Sequence, residues 1–114
     1  MRVTVPTQID EILKRNEIAV PSALMPLIPG FLSRREADVL ELNAMLKERK
    51  FDSIAYVAHK LKGSGSGYGF HSISVIGAAM DQAAKEKDEG AVAKLIGLLD
   101  QVVADLKARL AKTG

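Results

Sequence analysis

Residues 59 to 69 read His-Lys-Leu-Lys-Gly-Ser-Gly-Ser-Gly-Tyr-Gly, and chemistry starts at the first of them. Imidazole as a residue type titrates near ~6.5, so a nucleophilic nitrogen is available in neutral solution. A phosphoryl group carries nearly two negative charges and several acceptor oxygens. Lys62 would set an ammonium one helical turn from His59, where it can pair with those oxygens. Such a pair is worth only about 0–1 kcal/mol in open solvent. A covering partner strengthens it by excluding water. Gly63 leaves a notch through which a second protein could close over the ring. A glycine inside a helix costs ~1 kcal/mol against alanine, so its place beside the histidine asks for a reason. The spacing fits an ordinary exposed histidine with a tolerated glycine equally well.

Which element holds these residues follows from periodicity. Ile54, Ala58, Leu61, Gly65 and Tyr68 recur at three- and four-residue steps and fall on one side of a helix. At ~100° per residue, His59 lies ~160° from Leu61 and must point away from the apolar stripe. Lys62, Gly63, Ala55 and Ser66 lie within roughly 60° of it. A second stripe of Ile73, Ile76, Met80 and Ala84 follows, with Ser72 as its expected cap. A third runs from Val92 through Leu95, Ile96, Leu99, Val102, Val103 and Leu106 to Leu110, with Asp88 as N-cap. Gly97 inside it suggests close approach of a neighbouring helix. A further helix is expected from about Phe31 to Arg49, with Val39, Leu42, Met45 and Leu46 inward.

Four helices joined by short turns predict an all-α, antiparallel up-down four-helix bundle. Residues 1–30 are less regular. Ile9, Ile12 and Leu13 could line a short helix after Pro6, and Ser22–Ile28 another, with a kink or break at Pro26 and Pro29. Residues 1–20 are expected to form an N-terminal extension or lid, residues 22–112 the bundle, and 1–114 a single domain.

Composition narrows the classes. Of 114 residues, 47% are hydrophobic, enough for one core and too many for disorder. Aromatics are three Phe and two Tyr without Trp, which favours a Leu, Ile, Val, Ala and Met core, with Met25, Met45 and Met80 as filler. The absence of cysteine excludes disulfides, thiolate metal sites and a cysteine nucleophile. No apolar run approaches the ~20 residues of a membrane span, and no leader pattern opens the chain. A cytoplasmic protein is expected.

A net charge of +2, with both signs interleaved, argues against nucleic acid. The Lys47–Lys50 stretch and the Lys-rich C-terminus read as solvated surface. The glycines at 63, 65, 67 and 69 satisfy neither the dinucleotide fingerprint nor a P-loop. His71 reads as a loop or cap residue. With His59 it makes poor evidence for a metal site, and Ser64 and Ser66 have no Asp–His relay.

The run His59-Lys60-Leu61-Lys62-Gly63-Ser64, with Gly69 beyond, resembles the signature of histidine phosphotransfer (HPt) domains: His, any residue, Leu, Lys, Gly, then Ser or Ala, and a later Gly. Ile76-Gly77 and Met80-Asp81 fall where that family has an apolar-Gly pair and an apolar-acidic or apolar-Gln pair. Phe31-Leu32 and Arg34-Arg35 resemble the region before its second long helix. The resemblance spans roughly Ser22 to Leu110. It implies a four-helix bundle whose exposed His59 takes a phosphoryl group from a receiver-domain aspartate or a histidine or hybrid kinase and passes it to another receiver.

Lys62 would then steady the phosphate and Gly63 admit the partner, with Ala55 and Tyr56 near the centre of a transient interface. Asp81 would orient the imidazole or serve structure only. The glycine-rich stretch at 65–67 departs from the pattern and could loosen the helix end. The implied protein is a monomeric phosphocarrier, not an enzyme. It needs no cofactor, since Mg²⁺ belongs to the receiver partner. No nucleic acid or membrane partner is implied. The alternative is a non-catalytic helical adaptor that uses the same face without carrying phosphate.

Overall fold

A computed structural model describes residues 7–113, with side chains from 10 to 111. The described residues form five α-helices in order: α1 (Thr7–Arg15), α2 (Ile28–Lys47), α3 (Phe51–Tyr68), α4 (His71–Lys85) and α5 (Glu89–Thr113). A 3₁₀ turn at Ser22–Leu27 precedes α2. No strand occurs among the described residues. Helices α2 to α5 form the four-helix bundle, each packing on its chain neighbour and α2 closing the ring against α5. The expected stripes are its core: Ile54, Ala58, Leu61, Ile73, Ile76, Met80, Val92, Leu95, Leu99 and Leu106 are all buried. Among the described residues no helix is long and apolar enough to cross a membrane.

The three turns between these helices share one geometry. Arg49, Gly69 and Lys87 each adopt positive φ just past a helix end. The following N–H reaches back to the helix: Lys50 to Met45 O, Phe70 to Gly65 O, Asp88 to Ala83 O, at 2.8–3.0 Å. This closes the orphan carbonyls of each C-terminus. Only Gly69 adopts the conformation freely; Arg49 and Lys87 do so at ~1–2 kcal/mol each. Asp88 caps α5 as expected, accepting from Ala91 N–H at 3.1 Å. At the same end of the bundle, Arg49 pairs with Glu89 and lies over the Phe51 ring.

Several local expectations are corrected. Pro29 does not break the helix, because it occupies its first turn, where no backbone N–H is needed. Pro26 sits in the 3₁₀ turn. Met25 is 41% exposed and is not core filler, since the turn that carries it lies outside the bundle. Gly97 faces open space, so no neighbouring helix explains it. Ser72 is no cap: α4 already begins at His71, and Ser72 is buried inside it, donating to Asn16 Oδ1.

That bond belongs to a cluster tying the N-terminal segment to the bundle. Asn16, itself buried at φ 42°, donates through Nδ2 to Val102 O (3.1 Å) and to Asp105 Oδ2 (2.9 Å). Arg109 donates to Asn16 O at 2.8 Å and to Asp105 at 3.1 Å. These bonds, Asn16 first, hold the Asp105 carboxyl below its ordinary value. Ala19 N–H reaches Gly69 O at 2.9 Å, so the segment lies against the α3–α4 turn. Leu13 and Ile18 pack on the core. Pro6 and the Ile9 side chain fall outside the described residues.

Candidate functional site

His59 sits on α3 with its neighbours Val57, Ala58 and Leu61 buried and its own ring exposed. The outward direction follows from helical geometry, because the inward positions fix the rotation of α3. Lys62 and Gly63 are exposed on the same side, and Ala55 is half-buried. Among the described residues, no hydrogen bond or ion pair engages the His59 ring or the Lys62 ammonium. A Cβ built on Gly63 would meet nothing within 4 Å, so the notch beside the imidazole is open.

What holds this part of α3 is the backbone of α4. A Cβ on Gly77 would lie 2.5 Å from Lys62 N and 2.8 Å from Ala58 O; on Gly65 it would lie 2.5 Å from Ser74 N. The two helices approach so closely that only hydrogen fits at either position. Gly65 therefore does not loosen the helix end. It locks α3, which stays helical to Tyr68. Between the two glycines, Ser74 Oγ donates to the Lys62 carbonyl at 2.8 Å. With its one proton so used, Ser74 accepts from Ser66 Oγ at 2.9 Å. The backbone that carries Lys62 is thus gripped from α4 while its ammonium stays in solvent.

Asp81 does not reach His59. Its carboxylate pairs with Lys85 one turn along α4, at 3.5 Å. His71 opens α4 as an exposed helical residue. Among the described residues no group of three or more His, Cys, Asp or Glu could hold a metal ion.

Two sets of contacts on α2 and α3 were missed from sequence. Lys60 Nζ lies 4.7 Å from the centroid of the Tyr56 ring, which is 66% exposed. The i,i+4 spacing of this pair was the available signal. Arg35 on α2 stacks over Phe31 at 4.7 Å, pairs with Asp38 at 2.7 Å and donates to Ser64 Oγ at 3.3 Å. No local pattern announces that bridge between helices.

The bundle thus presents an exposed, unengaged imidazole from the middle of one helix, with an ammonium and an open notch one turn on. The family model for the Hpt domain matches residues 27–109, and the chain belongs to that family. The match covers α2 to α4 and most of α5, and leaves α1 outside it. No curated protein and no solved structure matches the chain. Hpt domains serve phosphotransfer in two-component signalling as phosphocarriers rather than kinases, and they interact with kinases and receiver domains.

Proposed function

We propose that this protein relays a phosphoryl group through His59. A ring nitrogen attacks the phosphorus of a receiver's aspartyl phosphate, or of a phosphorylated kinase. An N–P bond forms as the bond to the donor breaks, and the donor departs as a carboxylate from a receiver's aspartate or as an imidazole from a kinase's phosphohistidine. Transfer onward reverses these steps on a second receiver's aspartate. Lys62 neutralises part of the charge on the transferring oxygens, and Gly63 lets the partner approach. The chain itself needs no metal in this scheme, because Mg²⁺ and the acidic pocket belong to the receiver. The observation that carries the reading is the exposed imidazole with no internal partner, on a helix inside the segment that the family model matches. A cytoplasmic, monomeric relay is the setting that fits it.

The test is phosphotransfer from a phosphorylated receiver or hybrid kinase. Wild-type protein should acquire acid-labile phosphohistidine, whereas His59→Gln should not. Equal labelling of that variant refutes the assignment. Lys62→Ala should slow transfer with the fold intact, and an unchanged rate removes Lys62 from the mechanism.

A further inference from the structure

We propose that Tyr56, Lys60 and Arg34 form a recognition patch that determines which receiver domain docks over His59. The inference rests on the phosphocarrier reading above and names what selects its partner.

Tyr56 stands one turn before His59 on α3, its ring largely in solvent with the Lys60 ammonium held over it. Among the described residues the other exposed large apolar side chains are Met25, Leu27 and Leu40, none of them on α3. Exposed tyrosines are the side chains most apt to become anchors of an interface. The contact with the ring also gives Lys60 a preferred direction, so less freedom is lost when a partner meets it.

Lys60 borders a cleft of about 280 Å³ between α2 and α3, floored by Val57 and Leu61 and rimmed by Arg34, Arg35, Asp38, Glu41 and Ser64. Arg35 and Asp38 neutralise each other within it. Arg34 and Lys60 have no ion-pair partner among the described residues, and Glu41 on the same rim offsets one of them, so the cleft keeps a single net positive charge. With Lys62 on the opposite flank, His59 is therefore bracketed by unpaired cations. A receiver must bring an acidic pocket to the ring, and this arrangement complements it in charge and steers its approach.

Chemistry and selection can be separated here. Lys62 and Gly63 stand one turn from the ring, whereas Lys60 is turned over Tyr56 and borders the cleft between α2 and α3. A side chain there can change the choice of partner without touching the transfer step.

The experiment uses the full chain and a panel of receiver domains phosphorylated with acetyl phosphate, the fastest donor being followed in detail. Variants are Tyr56→Ala, the pair Lys60→Glu with Arg34→Glu, and Lys94→Glu on exposed α5 as control. Each patch variant should raise the receiver concentration for half-maximal transfer about tenfold, with the saturating rate unchanged. Salt sensitivity should fall in the charge-reversed pair. The control should behave as wild type.

In parallel, phosphoramidate labels His59 without docking: its P–N bond breaks, an imidazole N–P bond forms and ammonia leaves. That labelling should be equal in all variants. Wild-type half-maximal concentrations in the patch variants overturn the patch while leaving His59 as carrier, and so does a loss confined to the saturating rate. Failure of both donors to label wild-type His59 overturns the carrier reading and the patch with it.

Discussion

Replacing Gly63 by alanine separates stability from function in opposite directions. In the folded chain the added methyl meets nothing within 4 Å, and Gly63 lies inside α3. Nothing in the isolated protein therefore opposes the gain in helix propensity, about 0.8–1 kcal/mol. For a chain of this size the melting temperature should rise by roughly 3–6 °C. The docked complex reverses the sign if a partner fills the notch. A methyl forced into a packed interface costs about 1–3 kcal/mol, which corresponds to roughly 5- to 150-fold slower transfer. The assays are thermal unfolding by circular dichroism and timed phosphotransfer from a phosphorylated receiver, with phosphoramidate labelling as a control that needs no docking. Slower transfer with normal small-donor labelling in a more stable protein is the expected set. A more stable variant that transfers at the wild-type rate refutes the notch as an access route.

Gly77→Ala should behave in the opposite way. Its Cβ would sit 2.5 Å from Lys62 N, about 0.9 Å inside ordinary contact, against backbone that cannot swing aside. Allowing for recovered helix propensity, a net loss of about 1–2 kcal/mol is expected in urea unfolding; a stabilised protein would contradict the close α3–α4 packing. Asn16→Ala removes the acceptor of the buried Ser72 hydroxyl and two donated bonds, one to a carboxylate. Loss of about 2–4 kcal/mol should result, and a change below about 0.5 kcal/mol would show the N-terminal segment to be loosely held.

The Asp105 carboxyl is held below its ordinary value of 3.8 by Asn16 and Arg109. Its contribution is therefore complete above that value and fades as pH falls through the lower, folded one. Between about pH 5 and pH 3, wild type should lose more stability than Asp105→Asn. Parallel pH profiles would remove this group from the acid response.

The outward face of His59 and the buried stripes of α3, α4 and α5 were legible in the sequence because helical periodicity is local: once a few apolar positions fix the rotation, every other side chain's direction follows. The motif around His59 was legible for the same reason, since its residues lie within two turns of one helix. What one chain segment does to a distant one was not. Gly65 and Gly77 look like any helix glycines until α4 is laid against α3, and Gly97, equally conspicuous in sequence, faces open space. Ser72 reads as a cap and proves to be half of a buried bond to Asn16, 56 residues away. Arg49 and Lys87 are not residue types that favour positive φ, yet they take the left-handed conformation because helix packing and the returning N–H bonds outweigh its cost. The charged flank of Arg34 and Lys60 exists only where α2 and α3 meet. Residue type and spacing set what each helix can offer, whereas the distance and rotation between helices decide which offers are taken up.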